Sequence, residues 1–253
     1  MSDLFSLQDR VAIVTGGAGQ LGREIVAGLE ARGARVAVFD LEAERHRVDV
    51  TDRAAIERAT DEVASELGAP HILVNAAALD SPPDAPPEEV GPVESYPEAS
   101  FDEVMDVNVK GTFLACQVIG ARMAAEGRGS IVNISSVYGM LSPVQDLYEF
   151  RRRGGDEFYK PIAYSVSKSA LFNLTRYLAT YWAKSGVRVN TLTLAGVANE
   201  QPQEFVDAYT ARMPLGRMAN VAEVVGPVVF LASDASSYVT GANLVADGGW
   251  SAW

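Results

Sequence analysis

The chain predicts an α/β fold, a doubly wound parallel sheet of seven strands flanked by helices, in one domain spanning 1–253. Two observations lead there. Short β-branched runs alternate along the whole sequence with longer runs of helical period. The first β-branched run empties into a cluster of glycines, and the second ends on an acidic residue.

Arg10 to Thr15 is the first strand, apolar enough to be buried on both faces. Gly17-Ala-Gly19-Gln-Leu-Gly22 follows, then a helical pattern through Leu29 that Gly33 closes. Arg35 to Phe39 is the second strand, with Asp40 at its end, 21 residues after Gly19. Glycines allow the tight turn, the approach of backbone to a pyrophosphate and close packing of helix on strand. The helix start beyond them offers free N–H groups and partial positive charge to phosphates. Asp40 suits the hydroxyls of an adenosine ribose and repels a 2′-phosphate, which favours NAD(H) over NADP(H).

Arg47 to Val50 reads as the third strand, and Thr51 as the cap of a helix running to Leu67. His71 to Asn75 is the fourth strand; the small residues Ala76 and Ala77 follow, as expected where backbone passes a cofactor. Ser81 to Pro97 reads as an exposed proline-rich loop. Phe101 to Met123 carries helical pattern around Asn108 and Gly111, with Asn108 open to a purely local backbone role. Ser130 to Ser135 is the fifth strand. Leu141 to Pro161 has no clear period and reads either as a solvated excursion or as a wall of a substrate pocket. Ile162 to Trp182 is a long amphipathic helix and Val187 to Leu194 the sixth strand. Gln203 to Met213 is a short helix, in a stretch (197–215) that suits a lid. Val221 to Leu231 is another helix, Asn243 to Ala246 the last strand, and Asp247-Gly-Gly249 a turn. Trp250 and Trp253 near the terminus suggest burial against a neighbouring subunit.

Composition narrows the function. Net charge is −12, which argues against nucleic acid and anionic membranes as partners. No apolar run reaches membrane-spanning length, and the polar start lacks a signal-peptide core, so a cytoplasmic protein is expected. Cys116 is the single cysteine, which leaves no intrachain disulfide and no cysteine-based metal site; no metal is expected.

Tyr164 and Lys168 lie four residues apart and share a face if their run is helical. An ammonium beside a phenol favours the phenolate, and such a pair can exchange a proton with an alcohol oxygen. The spacing also arises by chance on solvated helices.

In order, Thr15-Gly-Gly-Ala-Gly-Gln-Leu-Gly22, Asp40, Asp49-Val50, Asn75-Ala-Ala, Asn108, Ile134-Ser-Ser136, Tyr164-x-x-x-Lys168, Arg188-Val-Asn190 and Asp247-Gly-Gly249 resemble the classical short-chain dehydrogenases/reductases. The likeness runs over essentially the whole chain and implies a Rossmann-type fold, a nicotinamide cofactor and frequent tetramers, hence a homo-oligomer. It implies Tyr164 as general acid/base and Lys168 as the ribose ligand that lowers the Tyr164 pKa. Ser136 would bond the substrate oxygen, and Asn108 would hold a relay water through a bend in its helix. It assigns the cofactor to Gly16, Gly19, Gln20, Leu21, Gly22, Asp40, Asp49, Val50, Asn75, Ala76, Ala77, Tyr164, Lys168, Gly196 and Val197.

Three departures from that pattern stand out. The glycines at 16, 19 and 22 put Gln20 where the family usually has glycine, a spacing typical of nucleotide-sugar epimerases and dehydratases. The interval from Ser136 to Tyr164 is 28 residues, longer than the family norm, and the excess lies in 141–161. Ala195-Gly196 replaces the usual Pro-Gly, which frees one φ beside the nicotinamide. The glycine turn, long loop and Asp-Gly-Gly-Trp ending resemble dehydrogenases of sugar and flagellin-modification pathways. The expectation is an NAD(H)-dependent oxidoreductase interconverting a secondary alcohol and a ketone on a sugar or polyol, with Arg151, Arg152 and Arg153 as candidate ligands of an anionic group. An epimerase or dehydratase holding NAD, a 3-oxoacyl-type ketoreductase and a non-catalytic NAD sensor are the rivals.

Overall fold

The computed structural model describes residues 3–80 and 87–253. Its centre is one parallel sheet in the order β3-β2-β1-β4-β5-β6-β7. The strands are β1 (Val11–Thr15), β2 (Arg35–Asp40), β3 (His46–Arg47), β4 (Ile72–Asn75), β5 (Gly129–Ser136), β6 (Val187–Leu194) and β7 (Asn243–Ala246). Helices cover both faces: α1 (Gln20–Ala31), α2 (Arg53–Glu66), α3 (Glu98–Met105), α4 (Thr112–Ala125), α5 (Val137–Met140), α6 (Glu149–Arg153), α7 (Ile162–Trp182), α8 (Gln203–Thr210) and α9 (Val225–Ala232). None of the described helices is long and apolar enough to cross a membrane.

Strand β1 shows why these runs are continuously apolar. Val11 and Ile13 point into the layer under α2, α4 and α7, with Ile56, Ile119 and Trp182. Ala12 and Val14 point into the layer under α1 and α9, with Ile25, Leu29 and Val228. Successive side chains alternate, so both sets must be apolar.

A polar chain crosses the first layer. Asn75 Nδ2 donates to Asn133 Oδ1 at 2.8 Å, Asn133 Nδ2 to Thr175 Oγ1 at 2.9 Å, and Thr191 Oγ1 to Thr175 Oγ1 at 2.8 Å. All four residues are buried, and they tie β4, β5, α7 and β6 together. Arg188 and Asn190 serve structure too. They donate to the carbonyls of Leu231, Ser233 and Val239 and so fasten the approach to β7.

Several expected boundaries move, each for a local reason. Strand β3 ends at Arg47 rather than running to Val50, because the Asp49 carboxylate accepts from Thr51 N and Oγ1 and turns the chain. The cap of α2 is Asp52, not Thr51: Asp52 accepts from Ala55 N at 3.1 Å, while the Thr51 hydroxyl is spent on Asp49. The single helix expected over 101–123 is two helices joined by a π-turn, Asp106–Gly111. Val221–Val224 is a 3₁₀ turn leading into α9. The aperiodic stretch 141–161 contains a 3₁₀ turn, Gln145–Tyr148, and α6. Of the proline-rich loop, 81–86 lies outside the described residues, and short 3₁₀ turns occupy Pro87–Glu89 and Val93–Ser95.

Trp250 is buried within its own chain, stacked on Tyr209 with ring centroids 4.4 Å apart, which overturns the expected subunit burial for that residue. Trp253 is 81% exposed.

Candidate active site

A cavity of about 740 Å³ opens where the carboxyl ends of β1, β4, β5 and β6 converge. Such an edge is where ligands bind in open α/β sheets. The glycine turn forms one wall. Gly16 has φ +67°, and a Cβ there would lie 2.6 Å from Ala77 Cα, so both its conformation and its contact demand glycine. A Cβ on Gly22 would lie 2.1 Å from the Gly16 carbonyl oxygen, so α1 packs directly on the turn. Gly19 caps α1 without a side chain, which leaves the first N–H groups to a ligand. At the end of β2 the Asp40 carboxylate accepts from Ala18 N and Glu42 N, both at 3.0 Å, and so stands against the turn. A dinucleotide's phosphates and ribose fit this arrangement.

Gly16, Gly19, Gln20, Leu21, Gly22, Ala76, Gly196 and Val197 line the cavity, as do Ser136, Tyr164 and Lys168. Gln20 does more than line it. Its Nε2 donates to the Ala198 carbonyl at 2.8 Å and bridges the glycine turn to the segment after β6. Asp49 is exposed and bonded to Thr51, and Val50 is buried against Gly111. Ala77 donates to Thr15 Oγ1 at 3.3 Å. Asn75 ends β4 with its amide in the polar chain within the sheet, and its neighbour Ala76 faces the cavity.

Ser136 ends β5 and caps α5, accepting from Tyr138 N at 3.2 Å. Its hydroxyl lies near enough to the Tyr164 phenol to favour the ionised form. One helical turn on, Lys168 is buried. Its Nζ donates to the Ile134 carbonyl at 3.0 Å and lies 5.8 Å from the Tyr164 ring centroid. Burial lowers the Lys168 pKa to about 8, against a smaller upward pull from Asp80. The depression expected for the Tyr164 phenol gives way to the opposite shift. Burial raises its pKa and the Asp80 carboxylate raises it further, while the Ser136 hydroxyl pulls it down.

Asn108 sits on the π-turn, which supplies the bend expected in its helix, and its side chain is held by Leu79 and Ser167. Oδ1 accepts from Leu79 N at 2.7 Å, and Nδ2 donates to the Leu79 carbonyl and to Ser167 Oγ, both at 2.9 Å. The amide thus clamps the chain just before Asp80.

The stretch 141–161 is a cavity wall. Tyr148, Phe150, Arg151, Phe158 and Lys160 line it, while the rings of Phe158, Tyr148, Phe205, Tyr209 and Trp250 form a continuous run of stacked and tilted contacts with centroid separations of 4.4–5.5 Å. The expected triple-arginine anion site is corrected, because internal partners take these cations. Arg151 pairs with Asp156 and lies over the Phe158 ring at 4.0 Å. Arg152 binds Glu149 and the carbonyls of Gln145 and Phe158; Arg153 binds Glu149.

Sequence reasoning missed Lys160, Asp80 and Tyr209. Lys160 pairs with Asp80, and its ammonium lies 4.7 Å from the Tyr164 ring centroid. The one available signal was Lys160 four residues before Tyr164, mirroring Lys168 four after it. Tyr209 Oη accepts from Gly196 N at 2.8 Å.

Residues 16–251 match a family model described as enoyl-(acyl carrier protein) reductase. The chain is 34% identical to the D-threitol dehydrogenase of Mycolicibacterium smegmatis, over 97% of this chain and 94% of that protein. Among solved structures it is similar to a short-chain dehydrogenase from Leptospira borgpetersenii with bound NAD+, with TM-score 0.85, 32% identity and coverage of 99% and 96% of the two chains. It is also similar to a gluconate 5-dehydrogenase from Burkholderia cenocepacia in complex with NADP and tartrate, with TM-score 0.85, 28% identity and coverage of 99% and 98%. With the glycine turn, the serine and the tyrosine–lysine pair on one cavity, these likenesses make the chain a member of the classical short-chain dehydrogenases/reductases, a family of oxidoreductases.

Proposed function

We propose that this chain is an NAD(H)-dependent dehydrogenase that interconverts a secondary alcohol and a ketone on a sugar or polyol. The observation that carries the reading is the placement of Ser136, Tyr164 and Lys168 on the cavity that the uncapped start of α1 also faces. Ser136 and Tyr164 hold the reacting oxygen between two hydroxyls. In oxidation Tyr164 takes the hydroxyl proton, and in reduction it returns it. Lys168 holds positive charge under the phenol and favours its ionised form when protonated. The bound nicotinamide supplies the hydride acceptor or donor. Gly16, Gly19 and Gly22 admit its pyrophosphate, and Asp40 takes the ribose hydroxyls.

The preference for NAD(H) rests on Asp40, whose carboxylate would repel a 2′-phosphate. The polyol class rests on the threitol dehydrogenase likeness and on the stacked aromatic wall, which suits the C–H faces of a carbohydrate. A cytoplasmic homo-oligomer completes the proposal. Exposed Tyr177 and Tyr181, stacked on α7, support an assembly of copies, and mass measurement in solution tests it.

The decisive experiment is a screen of tetritols, hexitols and their ketoses with NAD and NADP, read by the absorbance of reduced cofactor. Accumulation of NADH with a polyol is expected. Interconversion of substrates with no net reduced cofactor would favour the epimerase reading instead.

A further inference from the structure

Lys160 and Asp80 line the cavity, yet none of the roles above uses them. The Lys160 side chain is only 10% exposed, and its ammonium pairs with Asp80 beside the Tyr164 ring. Both residues are fixed from behind. Gln145 brackets the Lys160 backbone, accepting from its N at 3.0 Å and donating to its carbonyl at 3.5 Å. Asn108 brackets Leu79, next to Asp80, on both backbone groups. The pair therefore joins the long loop to the segment after β4, alongside the catalytic phenol.

We propose that Lys160 and Asp80 recognise the hydroxyl on the carbon adjacent to the reacting one, so that the substrate is a neutral vicinal diol. The inference rests on the dehydrogenase reading of the same cavity and adds to it the group that is read. Tyr164 and Ser136 place the reacting oxygen. The ammonium lies 4.7 Å from the Tyr164 ring centroid and lines the same cavity, on the side where the next carbon's oxygen is proposed to sit. That hydroxyl donates to the Asp80 carboxylate and accepts from the Lys160 ammonium, and the pair's charge stays balanced. An anionic substrate would face Asp80 and have to displace a carboxylate from a cation, at a desolvation cost. The other loop cation on the cavity, Arg151, is likewise matched by Asp156. A neutral polyol asks for neither displacement.

The test compares 2,3-butanediol with 2-butanol, which present the same reacting carbon and differ in the neighbouring hydroxyl. The ratio of their kcat/KM values is measured for the wild type, Lys160→Met and Asp80→Asn, with thermal unfolding as the check on folding. The wild type is expected to favour the diol about tenfold or more, as sites built around a substrate hydroxyl do, and each variant should bring the ratio toward unity. A ratio preserved in both variants overturns the proposal. So does a wild type with no diol preference, even where a variant fails to fold, and so does a wild type that prefers gluconate to a hexitol. Failure of every alcohol to reduce either cofactor would instead sink the dehydrogenase reading, an outcome distinct from a diol preference that survives substitution.

Discussion

Tyr209 Oη accepts a hydrogen bond from the backbone N–H of Gly196 at 2.8 Å. A Cβ on Gly196 would lie 2.9 Å from the Tyr209 ring, so the turn and the ring are in direct contact. Ala195 leaves that turn without the φ restraint a proline would impose. The phenol on α8 restrains it from the other side, helped by Ala219 N donating to the Gly196 carbonyl at 3.0 Å. The looseness expected from the missing proline is thereby offset.

Tyr209→Phe removes the hydroxyl and keeps the ring in its stack. A lost neutral hydrogen bond is worth about 1 kcal/mol, so the KM for NAD should rise about fivefold with a smaller effect on kcat. An unchanged KM, measured by steady-state kinetics, would mean that the bond does not position the turn.

Tyr164→Phe should cut turnover by about a hundredfold or more, because general acid–base catalysis typically contributes that much. Fluorescence titration with NADH should show cofactor affinity changed by less than about twofold. Turnover near the wild-type rate would remove Tyr164 from the mechanism.

Asp40→Ala should raise the NADP-to-NAD ratio of kcat/KM by about tenfold or more, since it deletes a charge that opposes the 2′-phosphate. The same variant strips a partner from Ala18 N and Glu42 N, so a stability loss of about 1 kcal/mol should accompany it. Cofactor competition kinetics and chemical denaturation read the two effects separately.

Lys168 makes stability depend on pH in a definite direction. Burial lowers its pKa from 10.5 to about 8, so the unfolded chain holds more protons than the folded chain between those values. The cost of burying the ammonium is fully present below pH 8 and is relieved as pH rises toward 10.5. The shift corresponds to about 3 kcal/mol. Lys168→Met should therefore raise unfolding free energy at neutral pH by about 1–2 kcal/mol, after allowance for the lost bond to Ile134, while abolishing turnover. Denaturation at several pH values checks this; a variant less stable than wild type at pH 7 would be the contrary result.

Local patterns carried the strand order's raw material. The continuous run of β1 and the alternation in β6 are properties of neighbouring residues, and so were legible. The family resemblance put a bend at Asn108 but not what holds it, because its partners Leu79 and Ser167 are far away in sequence. The same holds for Lys160 and Asp80, and for Tyr209 meeting Gly196. The cap at Asp52 rather than Thr51 was a choice between two adequate residues that only the Asp49 turn decides. The arginines at 151–153 read as a free positive patch because their carboxylate partners lie within the same aperiodic stretch and show no period of their own.

The chain of amides and hydroxyls from Asn75 through Asn133 and Thr175 to Thr191 has a consequence for alignment. Apolar strands alone would tolerate sliding past one another, since one valine resembles the next. Here a slip of one position would strand several hydrogen-bonding groups in a dry interior, at a cost that grows with each group. The sheet is thus keyed, and Ser136 and Leu194, the ends of β5 and β6, arrive level with one another at its working edge.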